Sequence, residues 1–367
     1  MRKLRQLLAK SAFRRAQDIR RPEDEFISER LGPTDRQSIY WVGHSLMQER
    51  TTVDGQDVSL FNLMKVFADS RTCRYDMFDH TLYGAPLSLQ WRGCPHSFVR
   101  LAPEMKDKRA AFSQEAARFD TFVLTEIVPV KNVLQLEFSA YYLQRFYDTI
   151  MSVNPKARVY VYESWDYLHG SASQSEAKEF DWLRAMDEQR DLWEKISDQA
   201  SCGVALTPRI LDQVKALIRP KAVLKRRPPI FIVPVGQVFK RLYKALKNSD
   251  EDKKFILPGG EQLKFHNLFS NPYTNWDEGR KEINRDKRRE ALTLKDPNKD
   301  LDDIHPSAIG IYIVALVHFA TLYRTSPVGL PAIACVGEPL AQRLQKMVWK
   351  AVCADTRSGV ETPDLTH

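Results

Sequence analysis

Four stretches of the chain are apolar without alternation: Ser38-Ile39-Tyr40-Trp41-Val42-Gly43, Phe119-Asp120-Thr121-Phe122-Val123-Leu124-Thr125, Arg158-Val159-Tyr160-Val161-Tyr162 and Pro229-Ile230-Phe231-Ile232-Val233-Pro234. Short runs of β-branched and aromatic residues with no polar face predict strands covered on both sides, as in a parallel sheet. Between them the period lengthens. Residues 62–69, 134–151 and 238–246 carry apolar positions at helical spacing, and Asn154-Pro155-Lys156-Ala157 marks a turn. No run fixes a second strand before residue 119. Strand, helix and strand in succession, joined by short polar turns, predict parallel pairing through right-handed crossovers. The expected fold is α/β, a three-layer α/β/α sandwich around a mainly parallel central sheet, with helical insertions.

The second half of the chain is more polar. Residues 173–216 are charged and periodic, which predicts one or two surface helices. Residues 250–303 hold Gly259-Gly260, an aromatic patch (Phe265, Phe269, Tyr273, Trp276) and a charge run at 280–290 that reads as a solvated helix or loop. Ser307 is placed to cap a strongly apolar helix over 308–323, which Pro327 and Gly329 end, and an amphipathic helix over 338–352 closes the fold. These patterns divide the chain into a basic arm (1–30), a main domain (31–330) with insertions at about 168–225 and 248–300, and a C-terminal helix and tail (331–367).

Charge sharpens the picture of the arm. The chain carries +8, yet residues 1–21 hold eight basic residues and one acid, leaving 47 basic and 46 acidic residues elsewhere. A nearly neutral body argues against a nucleic-acid-binding surface. Charges interrupt Leu4, Leu7, Leu8 and Phe13, so the arm has no apolar core of a secretory signal. Two readings of it remain: a frayed, solvated segment, or a weak amphipathic helix at an anionic membrane surface or a protein partner. The longest apolar run, 309–322, is broken by Gly310, Tyr312 and His318 and is too short to span a bilayer. Five scattered cysteines without a Cys-x-x-Cys pair predict reduced thiols. The expected location is the cytoplasm, peripheral to the inner membrane face if the arm binds there.

A serine hydroxyl becomes a nucleophile when a base takes its proton and a third group orients that base. Ser45 follows the first predicted strand, where side chains emerge at the carboxyl edge of a parallel sheet. Asp302 and His305 are three apart in a predicted loop entering the buried helix, within reach of one another. In this order Gly43-His44-Ser45-Leu46 and Asp302-Asp303-Ile304-His305-Pro306 resemble the first and last sequence blocks of the SGNH (GDSL) hydrolases, with His44 in place of the family's Asp. Asn154-Pro155-Lys156-Ala157-Arg158-Val159 looks like the turn before the family's fourth strand. The resemblance covers residues 39–330 and implies a flavodoxin-like sheet order, the triad Ser45, His305 and Asp302, and no cofactor or metal.

It also implies an oxyanion hole built from the Ser45 backbone N–H, a glycine of a second block and an asparagine of a Gly-x-Asn-Asp third block. Gly84 is the candidate glycine, with Gly93 as runner-up. No Gly-x-Asn-Asp exists here; the equivalent strand end reads Leu124-Thr125-Glu126-Ile127. An ionised Glu126 facing an oxyanion would oppose it, which leaves Thr125, a protonated or orienting Glu126, or Asn132 as substitutes. His44 is a candidate substrate contact beside the nucleophile. Trp91 and Trp165 follow the expected second and fourth strands and suit either stacking on a sugar ring or closing a loop. The expected activity is hydrolysis of an acyl ester, most simply O-acetyl, on a small molecule or carbohydrate. The alternatives are an O-acyltransferase with the same triad and a catalytically impaired carbohydrate-binding or scaffold protein.

Overall fold

The computed structural model describes residues 19–92, 112, 114–168, 181–205, 227–248, 255–271 and 302–361. In chain order the strands are β1 (Arg36–Gly43), β2 (Arg50–Val53), β3 (Gln56–Ser59), β4 (Arg74–Thr81), β5 (Thr121–Leu124), β6 (Arg158–Tyr162), β7 (Phe231–Val233), β8 (Phe269–Asn271) and β9 (Asp302–Pro306). The helices are α1 (Glu23–Ser28), α2 (Ser45–Gln48), α3 (Leu60–Ser70), α4 (Leu87–Arg92), α5 (Val130–Glu137), α6 (Ser139–Val153), α7 (Trp182–Cys202), α8 (Val235–Lys247), α9 (Ala308–Leu322) and α10 (Gly337–Ala354).

One parallel sheet runs β4-β1-β5-β6-β7, and helices cover both of its faces, so the architecture is a three-layer α/β/α sandwich. Successive residues of a strand point to opposite faces, and the two cores follow from that. Ile39, Trp41, Val123, Tyr160 and Tyr162 face α3, α8, α9 and α10. Tyr40, Val42, Phe122, Leu124 and Val159 face α6 and the second half of α7. Helix α9 is apolar all round and buried from Ile309 to Leu322, as such a helix must be in water. Its start is fixed by Ser307, whose hydroxyl accepts a hydrogen bond from the Gly310 amide at 3.4 Å.

The four apolar runs lie in this sheet as expected, with β4 added at its edge. Its alternating exposed charges, Arg74, Asp76 and Asp79, are what an edge strand tolerates and what hides it in an apolar scan. The hairpin β2–β3 turns through Asp54 and Gly55 (φ 48° and 79°), both in the left-handed region, which is the Asp-Gly signature of a tight hairpin. The single helix expected over 134–151 is two, because Phe138 adopts φ 56° and ψ 46° and breaks the path between α5 and α6. Helix α7 is not a surface helix: Trp182, Met186, Trp193 and Ile196 are buried. The Asp-x-x-His segment is strand β9, antiparallel to β8, rather than a loop. The C-terminal α10 packs into the main core through Leu340, Leu344, Val348 and Val352. Part of the arm is likewise fixed in place: Arg20 pairs with Asp191 and Glu194, Arg21 with Glu25, and Phe26 is fully buried. The expectations for residues 1–18, Cys94 and the charge run at 280–290 lie outside the described residues. Among the described residues, no helix is long and apolar enough to cross a membrane.

Candidate active site

In sheet order the strands read 2-1-3-4-5, the doubly wound arrangement in which connections leave β1 and β5 toward opposite faces. The carboxyl end of β1 is the switch point, and Ser45 stands there. β1 ends at Gly43, where a Cβ would press on Met47 and lie 3.0 Å from Cγ2 of Thr125, the residue just past β5, so glycine lets the turn close against the end of that strand. His44 then caps the short helix α2, with Ser45 as its first residue. First-turn amides of a helix have no intrahelical partner, which leaves the Ser45 N–H directed out of the turn.

The hydroxyl of Ser45 meets the imidazole of His305 across 260 residues, with Oγ 2.8 Å from Nε2. His305 is held by its backbone. Ile304, its neighbour on β9, gives its carbonyl to the indole Nε1–H of Trp165 at 2.8 Å, and Pro306 pairs with Phe269 of β8. Asp302 opens the same strand and pairs through its backbone with Asn271; its side chain lies outside the described set, as do those of Asp303 and Asn132. Gly93 also lies outside the described residues.

The remaining candidates occupy positions their residue types did not announce. His44 is buried, donates Nε2–H to the Glu126 carbonyl at 2.9 Å and accepts the Leu46 amide on Nδ1 at 3.5 Å. Burial lowers its pKa to about 4, against the raising pull of the Glu126 carbonyl and with electrostatic repulsion from His305 as a smaller contribution, so the ring is neutral. Both nitrogens are engaged, and His44 is a cap that ties β1 to β5 rather than a substrate contact. Thr125 is fully buried and donates its hydroxyl to the Tyr162 carbonyl at 2.9 Å, so that proton is committed to the sheet and not to an oxyanion. Trp165 is fully buried, stacked on Phe239 at 4.5 Å, and is therefore no platform for a sugar. Trp91 is half-buried against Phe146, with the Arg145 guanidinium 5.1 Å from its ring.

Glu126 holds backbone in place, close to the orienting role the sequence left open for it. Its Oε1 accepts the Leu87 amide at 3.2 Å and the Ile127 amide at 2.9 Å, which fastens the start of α4 and the loop before it to β5. Burial pushes the carboxyl up to about 7, against the lowering effect of its hydrogen bonds. That loop, 82–86, carries Gly84 in an exposed left-handed turn (φ 63°). Gln90 secures it further by donating Nε2–H to the carbonyls of Gly43 at 2.5 Å and Ala85 at 3.1 Å. The second loop of the site is thus bolted to the first and third strands of the sheet. Tyr83, which the sequence reading passed over, stands in the same loop. Its hydroxyl is 3.3 Å from His305 Nε2, and the two rings lie 5.6 Å apart at 29°. A tyrosine in a short irregular loop carries no periodic signal, so only the fold brings it to notice. Among the described residues, no group of three His, Cys, Asp or Glu is placed to hold a metal ion.

No protein-family model matches the chain, and no curated protein matches it. Among solved structures, one that it resembles is a DUF4886 family protein from Bacteroides uniformis ATCC 8492, at 11% identity and a TM-score of 0.41 over 87% of this chain and 95% of that one.

Proposed function

We propose that this protein is a serine hydrolase that cleaves an acyl ester, most simply an O-acetyl ester, through an acyl-Ser45 intermediate. The observation that carries the reading is the 2.8 Å contact between Ser45 Oγ and His305 Nε2 at the switch point of the sheet. A hydroxyl held on an imidazole nitrogen at that distance is poised to lose its proton as it attacks a carbonyl. His305 Nε2 takes the proton and returns it to the departing alcohol, and water then repeats the cycle on the acyl-serine. For Nε2 to accept, the ring must carry its other proton on Nδ1. The resemblance assigns Asp302 to accept a hydrogen bond from that Nδ1–H, which orients the ring and leaves the proton on it. The Ser45 N–H serves as one oxyanion donor and a Gly84 amide as the second.

The resemblance of Gly43-His44-Ser45-Leu46 and Asp302-Asp303-Ile304-His305 to the SGNH blocks supports the same chemistry, and so does their position on a 2-1-3-4-5 parallel sheet. Glu126 stands where the family's third-block asparagine would be; its Oε1 is turned to the amides of Leu87 and Ile127, and burial favours its protonated form.

A fluorophosphonate probe followed by peptide mass spectrometry tests the reading. Modification is expected on Ser45. Ser45→Ala and His305→Ala should each abolish hydrolysis of a small acetyl ester, with the double variant little worse than either, because the two act as a unit. Asp302→Asn should do less damage, since a carboxylate that orients the ring makes and breaks no bond with substrate. Full activity in Ser45→Ala would sink the mechanism.

A further inference from the structure

The group that returns a proton to the leaving alcohol is the same Nε2 that received it from Ser45. During acylation the leaving oxygen must therefore approach to about 3 Å of that nitrogen. A second hydroxyl already stands near this position. Tyr83 OH lies 3.3 Å from His305 Nε2, and Glu49 Oε2 accepts from the same phenol at 3.4 Å. Both side chains are tied to the nucleophile's own surroundings. Tyr83 follows Leu82, whose amide donates to the Gly43 carbonyl at 2.8 Å, and Glu49 ends α2 by donating its amide to the Ser45 carbonyl at 2.8 Å. Gln48 closes the link by donating to the Thr81 carbonyl at 3.1 Å. Tyr83 is 60% exposed, so its ring is open to an approaching substrate.

We infer that Tyr83 and Glu49 form the leaving-alcohol side of the site, and that the alcohol is a polyol such as a sugar; this rests on the serine-hydrolase reading. As the tetrahedral intermediate collapses, the bond between the acyl carbon and the leaving oxygen breaks, its electron pair stays on that oxygen, and the proton on Nε2 moves to it. Tyr83 keeps its own proton and turns its one O–H from Glu49 Oε2 to the same oxygen while charge builds there. Glu49 accepts from a neighbouring hydroxyl of the alcohol, and the exposed phenol face lies along its carbon skeleton. The aromatic contact that Trp165 is too buried to supply thus falls to Tyr83.

The test compares kcat/KM for 4-nitrophenyl acetate, butyl acetate and glycerol monoacetate in the wild type, Tyr83→Phe, Glu49→Ala and Ser45→Ala. Nitrophenolate leaves without needing a proton, so Tyr83→Phe should lower the rate on glycerol monoacetate about tenfold relative to that on 4-nitrophenyl acetate, as expected for one hydrogen bond. Glu49→Ala should lower glycerol monoacetate about tenfold relative to butyl acetate. Equal losses on all three esters would mean that Tyr83 only props the imidazole, and unchanged ratios would mean that neither side chain meets the alcohol; either overturns the proposal. Full activity in Ser45→Ala, or a wild type that turns over none of the esters, removes the underlying reading and the proposal with it.

Discussion

Glu126 shows how a single residue can change its meaning between sequence and structure. In a third-block position an acid looks like a threat to the oxyanion. In the fold it is an acceptor for two backbone amides, buried deeply enough that its carboxyl titrates at about 7 instead of the ordinary 4.5. The folded state therefore holds a proton that the unfolded chain has already lost above about pH 4.5. Its contribution to stability is fully present below that value and is lost as pH rises through about 7. Glu126→Gln keeps the accepting oxygen and removes the titration. The difference in unfolding free energy between Glu126→Gln and wild type should shift in favour of the variant by on the order of 1–3 kcal/mol between about pH 5 and about pH 8. Urea unfolding at a series of pH values measures it, and two parallel curves would show that the carboxyl is not strained by burial. His44 was legible only as a neighbour of the nucleophile, because whether an imidazole binds substrate or caps a helix depends on where a backbone carbonyl points, and that direction is not written in residue types.

At the scale of elements, what could be read from the sequence was what burial on both faces imposes. Ile39 to Val42, Phe122 to Leu124, Val159 to Tyr162 and Ile230 to Val233 had to be strands covered on both faces, because no polar face was left for water; the last of them, β7, is nonetheless an edge strand. Edge strand β4 alternates charge with apolar side chains and offered no such run, and the Asp54-Gly55 hairpin signal was present but passed over. The break at Phe138 was not legible, since a left-handed phenylalanine is uncommon and only tertiary packing holds it there. Strand β9 was missed for a related reason: five residues ending in proline are a strand only because Phe269 to Asn271 lie beside them.

The position of β9, and so of His305, depends on one close approach. A Cβ on Gly310 would overlap the Leu268 carbonyl oxygen and lie 2.9 Å from Pro306 Cβ. The same carbonyl accepts the Ser307 amide at 2.8 Å, so it cannot simply move aside. Gly310→Ala should therefore lower stability by about 1–3 kcal/mol, as overpacking does. On the proposed mechanism it should also slow fluorophosphonate labelling of Ser45 about tenfold or more, because His305 shifts with its strand. Thermal unfolding and labelling rate read the two effects. A variant with unchanged values for both would show that α9 does not set the place of the histidine.

Across the whole molecule the two edges of the sheet do different work. The carboxyl edge carries Ser45, His305 and the loops around them. Toward the opposite edge, near the start of β6 and β7, both ends of the described chain meet the end of α7. Arg158, the first residue of β6, donates to the Glu29 carbonyl at 2.9 Å, and Leu31 pairs with Val360 in a parallel bridge. At the centre of this junction Asp198 is fully buried. Its two oxygens accept Nη1 and Nη2 of Arg357 at 2.8 and 3.0 Å, and Oδ2 also takes the Arg21 amide at 3.2 Å. Arg357 in turn lies over the Phe26 ring at 4.4 Å, while Arg21 reaches Ser201 at 2.9 Å and the Arg227 carbonyl at 2.7 Å. Replacing one partner of such a pair leaves the other charged and dry, which costs about 3–5 kcal/mol, whereas replacing both by neutral groups costs far less. Arg357→Met should therefore destabilise by about 3 kcal/mol or more, and adding Asp198→Asn should recover part of that loss instead of adding to it. Urea midpoints for the two single variants and the double give the coupling directly. Because the junction lies at the far edge from Ser45, folded Arg357→Met should label with fluorophosphonate at the wild-type rate. Additive losses in the double variant would show that Arg357 stabilises through its packing on Phe26 and not through Asp198, and a slowed labelling rate would mean that the two edges of the sheet are coupled.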